Sequence, residues 1–531
     1  MSRDPTIPPR PGPRLLRGAG LVVGAVCLLP LLYLAVRAVA GGGLAEVLLR
    51  ERSLGVAGRT FLLAGAVAAA SAGLGLPLAW LTSRTDLPAR RFLTGLLALP
   101  LAVPSYVAGF AAATALGPRG LLYRLLEPVT GWERLPEIYG FPGAFLVLAS
   151  LNYPYVFLAA RARFARLDGS LPDAARVLGA GRWRRFSRVT LPLMGGALLS
   201  GSLLAALYTL SDFGAVSLMR YETFTWAIYN AYRGSLDRHT AAGLALLLVL
   251  AALLVLALAR RFERAHAPAA FGSARARPLR PHRLGRWRWP AVFGCLLVLA
   301  PALLLPVSVC LFWLFQAPAG AGVGLASALL RTGLASGTAA AVTVALAIPV
   351  AFLAVRFPSR GSAALKVAVH IGFGLPGLVV GLSLVYFSVQ LAPFVYQTLG
   401  LLIFAYALHA LPQAVAPLEG TLAPISPRID DAARTLGAGW IRRHLAITLP
   451  LLRPGLAAGA ALVFLTCVKE LPATLMLAPT GFRTLATTVW NAAENVELGR
   501  AAAASLLLLF SSGVVLVAVL RASGPLPARS G

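Results

Sequence analysis

Asp173-Ala174-Ala175-Arg176-Val177-Leu178-Gly179-Ala180-Gly181 runs on into Arg182-Trp183-Arg184-Arg185-Phe186-Ser187-Arg188 and then Val189-Thr190-Leu191-Pro192. The stretch is polar and basic, yet long apolar runs flank it. It also occurs twice. Asp431-Ala432-Ala433-Arg434-Thr435-Leu436-Gly437-Ala438-Gly439 is followed by Arg442-Arg443 and by Ile447-Thr448-Leu449-Pro450. One constant offset carries Asp173 onto Asp431, Gly179 onto Gly437, Arg185 onto Arg443 and Pro192 onto Pro450. A single ungapped register across the segment marks the two halves of the chain as copies of one unit.

Each copy reads as a short helix, a bend and a second helix. An acid at a helix start suits the positive end of the dipole. Ala-Ala-Arg-x-Leu favours helix. Gly179 and Gly181 permit a turn that a residue with a Cβ resists. Pro192 falls where the next apolar run begins, in a first helical turn that tolerates it.

The rest of the chain says where such a segment must sit. Of 531 residues, 58% are hydrophobic, and the mean hydropathy is +0.77. Those values fit a polytopic membrane protein and exclude an ordinary soluble one. The net charge of +29 does not point to nucleic acid, because the charges cluster in short segments between apolar runs. Lys366 and Lys469 are the only lysines, a bias we ascribe to coding-sequence composition and not to chemistry. Cys27, Cys295, Cys310 and Cys467 lie in apolar runs without metal spacing and imply no disulfide framework.

Apolar runs predict six spans in each half. In the first they are Ala19 to Ala40, Thr60 to Leu81, Phe92 to Leu116, Phe141 to Ala160, Leu191 to Leu210 and Ala241 to Ala259. In the second they are Pro290 to Phe315, Thr332 to Val355, Val367 to Leu391, Leu399 to Ala416, Leu449 to Val468 and Ala501 to Leu520. The expected organisation is a cytoplasmic tail (1–18), a first domain (19–260) with its loop at 173–192, and a basic linker (261–289). A second domain (290–521) follows, with its loop at 431–450, and then a second tail (522–531). Arginine-rich segments, both loops included, fall on one side, read as the cytoplasm together with both termini. An even span count per half makes the repeat parallel and not inverted.

Inside the spans, Pro100, Pro104 and Pro376 interrupt helices, and the carbonyls they free need a neighbour or a water-lined cavity. Ser211-Asp212-Phe213-Gly214 maps onto Lys469-Glu470-Leu471-Pro472, so an acid recurs where a span reaches its outer end. Such an acid either caps the following helix or lines the substrate path. Thr225-Trp226-Ala227-Ile228-Tyr229-Asn230-Ala231 parallels Ala486-Thr487-Thr488-Val489-Trp490-Asn491-Ala492 and reads as aromatic, interfacial outer surface. His370 and His409 are lone residues in apolar runs. No phosphate loop, zinc-protease helix or nucleophile elbow is present, so the sequence does not read as an enzyme.

The duplicated loop resembles the EAA loop of permease subunits of ATP-binding-cassette importers, with Asp in place of the usual Glu in both copies. That resemblance implies the type-1 permease fold, an all-α polytopic protein of about twelve transmembrane helices in two parallel six-helix halves. It implies that Asp173, Ala174, Ala175, Arg176 and Gly179, with Asp431, Ala432, Ala433, Arg434 and Gly437, contact an ATPase dimer. It also implies a periplasmic solute-binding protein, a location in the bacterial inner membrane, and no directly bound cofactor, ATP being used by the partner subunit.

Leu99-Pro100-Leu101-Ala102-Val103-Pro104-Ser105-Tyr106-Val107, Ser211-Asp212-Phe213-Gly214 and Lys469-Glu470-Leu471-Pro472 resemble the fused permeases of ferric-iron importers, with thiamine and putrescine permeases as relatives. Tyr106, Asp212, Lys469 and Glu470 are then candidates for the translocation path or its outer gate. No metal ligands are expected in the chain itself. The competing class is an ion-gradient-driven secondary transporter, which would have no use for a duplicated loop.

Overall fold

The computed structural model describes residues 13–40, 44–167, 170–235, 237–265, 282–318, 320–426 and 428–522. Residues 1–12, 266–281 and 523–531, which hold most of the expected tails and linker, lie outside them, as do the side chains of Asp173 and Asp431. Among the described residues the structure is helical, with one isolated bridge between Thr85 and His282.

Ten helices are long and apolar enough to cross a membrane, and two sharply bent pairs raise the number to twelve. These match the six runs per half read from the sequence. The helices outrun the apolar stretches. Glu51–Arg84 has 34 residues, because the flanking Glu, Leu, Ala and Arg are themselves helix formers. The bent pairs are the third span of each half. Arg90–Ala102 meets Ser105–Thr130 at 92°, and Arg360–Gly372 meets Gly377–Leu391 at 99°. The cause is local. Pro104 and Pro376 lack an N–H and push the preceding residue out of the helical region. Val103 and Leu375 accordingly take extended ψ values of 121° and 124°.

The chain forms two compact units, one from Gly43–Pro318 with Val496–Leu506, the other from Met1–Gly42 with Ala319–Asn495 and Leu507–Gly531. Each unit therefore takes its first span from the other sequence half. Helix Arg14–Ala40 packs on helices of the second half: Tyr33 donates to the Tyr386 carbonyl (3.3 Å) and sets its ring edge-on to Phe387. In the other unit, Cys295 and Leu299 of helix Arg288–Leu299 join Leu78, Leu97, Tyr153, Phe157 and Met194 in one buried cluster.

The last stretch of the linker, His282–Arg288, is clipped to the turn after Glu51–Arg84. Leu284 N–H and Arg288 Nη2 donate to the two oxygens of Asp86 at 2.8 and 2.5 Å. His282 N–H donates to the Arg84 carbonyl at 2.7 Å. The Leu284 amide, with Arg288 behind it, holds the Asp86 carboxyl below its ordinary value of 3.8.

Within the Gly43–Pro318 unit, helix 51–84 packs on Phe141–Arg166, and that helix packs on Leu191–Ser211. Glycine permits the approach. A Cβ on Gly201 would lie 2.8 Å from Val156 Cα, and one on Gly75 would lie 2.8 Å from Phe157 N. The other unit repeats the contact, where a Cβ on Gly459 would lie 3.2 Å from Ala414 Cα.

Candidate functional site

The duplicated loop takes the same backbone path twice. Helix Ser170–Val177 ends at Gly179, and helix Arg428–Thr435 ends at Gly437; both glycines have φ +78°. Ala180 N–H donates to Ala175 C=O and Gly179 N–H to Arg176 C=O; Ala438 to Ala433 and Gly437 to Arg434 repeat the pair, all at 3.0–3.1 Å. This is the Schellman termination, which needs a left-handed residue at one position. Gly179 and Gly437 supply it. Gly181, expected to share the task, is not among the residues with positive φ. Asp173 and Asp431 sit in the fourth position of their helices and not at the start.

A second short helix, Arg182–Arg185 or Trp440–Arg443, then leads through one wide π turn into the next span. Leu178 is 85% exposed, Trp183 76% and Leu436 87%. Both loops thus carry apolar side chains uncovered.

Each unit carries the recurrent acid just after the span that follows its loop. Antiparallel packing fixes its depth. Asn152 Nδ2 donates to Thr209 Oγ1 (3.3 Å), and Tyr155 stacks on Tyr208 at 4.5 Å between centroids. Asp212 therefore lies level with about residue 150, some 15 Å inside the far end of the 141–166 helix at 1.5 Å per residue. The sequence placed it at the outer end of a span. The span stops short instead, and helix Gly214–Leu218 completes the climb, with Gly140 N–H donating to Met219 C=O at 2.6 Å.

A carboxylate at such depth needs hydrogen bonds. Asp212 Oδ1 accepts from Ala215 and Val216 N–H at 2.9 and 3.3 Å. The Asp212 carbonyl accepts from Thr225 Oγ1. Ser105, the first residue after the Pro104 break, bonds to the same carboxylate. In the other unit Glu470 Oε1 accepts from Ala473 N–H at 3.3 Å and presses on Gly377, the first residue after the Pro376 break. Thr474 Oγ1 donates to the Glu470 carbonyl (2.7 Å) and meets Tyr406 Oη at 2.6 Å. Of the two roles open to these acids, capping is thus in place: each closes the short helix after it and sits at the break of the bent pair.

Tyr106 is buried beside this site, since a Cβ on Gly214 would lie 2.8 Å from its own Cβ. Lys469 ends its helix immediately before Glu470. Asp212 with Tyr106, and Glu470 with Lys469, belong to separate units.

Sequence reading missed the clamp that holds the segment after each acid. Thr60 Oγ1 accepts from Phe224 N–H (3.1 Å), and Thr332 Oγ1 from Leu485 N–H (2.8 Å). Arg59 pairs with Glu222 (2.6 Å), and Arg331 donates to the Gly481 carbonyl (2.5 Å). The doubled Arg-Thr dipeptide was the available signal. Of the following helices, Leu485–Glu494 is mostly buried, Trp490 included, whereas Phe224–Arg233 leaves Trp226 and Tyr229 partly exposed. His370 Nδ1 meets the Lys366 carbonyl at 2.7 Å. Among the described residues no three His, Cys, Asp or Glu side chains are placed to hold a metal.

The profile of the family described as "binding-protein-dependent transport system inner membrane component" matches residues 62–268 and again 344–523. The chain belongs to this family. It is a transport permease and not an enzyme, the membrane component of an ABC import system, and it is a multi-pass inner-membrane protein. It is similar to the Fe(3+)-transport system permease protein FbpB 2 of Haemophilus influenzae, 30% identical over 95% of this chain and 98% of that one. It is similar to the ferric transport system permease protein FbpB of Actinobacillus pleuropneumoniae, 23% identical over 87% and 70%. The molybdenum transport system permease protein ModB of Escherichia coli is 36% identical over 27% of this chain and 60% of its own length. The repeat read from the sequence is thus a doubled permease unit.

Proposed function

We propose that this permease is the pore of an ATP-driven importer of ferric iron, delivered by a solute-binding protein on the outer side. The observation that carries the driving step is the pair of identically terminated loops with uncovered Leu178, Trp183 and Leu436. Each would sit in a cleft of a separate ATPase dimer, with Asp173, Ala174, Ala175, Arg176 and Gly179, and Asp431, Ala432, Ala433, Arg434 and Gly437, at the contact. Closure of that dimer on ATP moves both loops together and turns the pore outward, a rigid-body switch. ATP stays on the partner, and both loops and both termini face the cytoplasm. Asp212, Tyr106, Glu470 and Lys469 then lie toward the outer gate.

The ferric assignment is supported by similarity to two ferric permeases over 95% and 87% of this chain, against 27% for a molybdenum permease. Uptake of radiolabelled iron, thiamine and molybdate in a strain lacking the gene tests it: iron uptake alone is expected to fall. Undiminished iron uptake with loss of either other solute refutes it. For the loops, Gly179→Val with Gly437→Val is expected to abolish co-purification of the ATPase. Retained binding and uptake refute the assignment.

A further inference from the structure

We propose that the groove between helix Arg14–Ala40 and helix Arg360–Gly374 holds an anionic phospholipid of the leaflet on the loop side, with its phosphate at Arg17 and an acyl chain along the groove. The site stands whatever the cargo is.

The groove is a cavity of about 680 Å³, within the range of sites that take small molecules. It lies inside one compact unit. Its lining changes character along its length. Arg17, Ser359 and Ser362 line one end, and Leu21, Ala25, Leu28 and Leu365 the other. Leu28 follows Arg17 on the same helix, and at 1.5 Å per residue the apolar part runs roughly 16 Å beyond the arginine. Charge at the mouth with hydrocarbon behind it matches the order of headgroup and chain in a phospholipid.

The walls are built for it. A Cβ on Gly24 would lie 3.1 Å from Leu365 Cδ1, and one on Gly20 would run into Leu353, so the groove keeps its narrow base only with glycine there. Ser362 N–H donates to Ser359 Oγ at 3.1 Å and Ser359 N–H to Ser362 Oγ at 2.8 Å. This capping box fixes the mouth before a ligand arrives. Leu21, Val22, Leu32 and Val36 on the outer face of the first helix are exposed, and acyl chains are the solvent for such side chains in a span. The groove therefore opens sideways to the bilayer. Arg356, which ends the helix before the mouth, lies within electrostatic reach of Asp430 in helix Arg428–Thr435. The charged end is thus on the side of the loops.

The other unit shows what the mouth lacks. There helix Arg288–Leu299 packs on helices 51–84 and 90–98 as Arg14–Ala40 packs on 325–356 and 360–374. Arg288 is neutralised from within by Asp86 of the turn 85–89. The matching turn, 357–359, is shorter and carries no acid. Among the described residues no carboxylate pairs with Arg17. A phosphate from the bilayer supplies the anion that Asp86 supplies in the other unit. Arg14, one turn before Arg17, and Arg360, beside Ser359, are exposed at the same end and favour a net negative headgroup over a zwitterionic one.

Native mass spectrometry of the purified full-length permease, titrated with dioleoylphosphatidylglycerol or dioleoylphosphatidylcholine, tests the site. The wild type is expected to hold its first phosphatidylglycerol about fivefold more tightly than phosphatidylcholine, the effect of one basic residue on attraction to anionic lipid. Arg17→Gln should remove the preference, and Arg17→Lys, which keeps the charge, should retain it. Ala25→Phe, at an exposed position on the apolar part, should lose the tightly held lipid while the protein stays monodisperse on size exclusion. Equal affinity for the two lipids in the wild type, or a preference that survives Arg17→Gln, overturns the headgroup assignment. Unchanged binding in Ala25→Phe overturns the groove as the seat of the chain.

Discussion

Gly73 and Gly75 lie two residues apart on one helix, yet alanine at the two positions should act in opposite directions. Gly73 is exposed, and a Cβ there meets nothing within 4 Å. Alanine then contributes only its better helix propensity, about 0.5–1 kcal/mol. Gly75 is buried against the 141–166 helix. A Cβ there would lie 2.8 Å from Phe157 N, 2.8 Å from Val156 Cβ and 3.1 Å from the Tyr153 carbonyl. Ordinary contact begins at 3.4 Å, and none of these atoms is the free end of a flexible chain. The helices must therefore part by several tenths of an ångström. Val156 is held on its other side by Gly201, so the shift passes on to the 191–211 helix. Overpacking of this kind destabilises by about 1–3 kcal/mol, and the propensity gain offsets up to about 1 kcal/mol of that. Gly75→Ala should lose about 1–2 kcal/mol net, while Gly73→Ala gains. Heating the two variants and the wild type in detergent, then reading the surviving monodisperse fraction by size exclusion, orders their midpoints. Midpoints that move in the same direction, or a Gly75→Ala variant above wild type, would refute the packing argument.

Thr60→Val and Thr332→Val should each destabilise by about 1–3 kcal/mol in the same assay, because each strands the buried N–H of Phe224 or Leu485. Asp212→Ala should lose about 1–2 kcal/mol by uncapping Ala215 and Val216, and Asp212→Asn, which keeps an acceptor oxygen, much less. Equal losses in the two Asp212 variants would count against the capping role. The Asp86 clip should be pH-dependent. A carboxyl held below 3.8 in the fold contributes its stability above that value and loses it as pH falls through the lower, folded value. Hydrogen exchange at Leu284 should therefore quicken only below about pH 4 in the wild type, and be fast at every pH in Asp86→Ala.

The spans, their number and the duplicated loop were legible because each rests on local pattern: apolar length, glycine at a left-handed turn, proline at a break. Pro104 and Pro376 announced the bends, though not angles near 90°. The depth of Asp212 was not legible. A span that stops short and one that reaches the surface have similar hydropathy, and only the pairing of Asn152 with Thr209 shows which is present. Nor was the exchange of first spans between units, since hydropathy carries no information about which apolar surface a helix chooses. The Tyr155–Tyr208 pair escaped for a related reason. Sequence spacing is a local signal, and this pair is made by tertiary packing alone.

The internal repeat separates mechanical requirements from chemical ones within a single chain. Where the copies agree in geometry despite different side chains, the constraint is mechanical. Asp212 and Glu470 differ in length, yet each caps a short helix and sits against the first residue after a proline break. Thr60 and Thr332 accept the same amide. Where geometry is kept and chemistry is not, the difference needs another cause. Gln413 and Thr466 show that a neutral pair holds the spans together at that register. Tyr155 and Tyr208, which the offset of the loops carries onto Gln413 and Thr466, hold the same register by stacking their rings at 4.5 Å between centroids, so the requirement kept there is contact between the spans, and the side chains that meet it are free to differ.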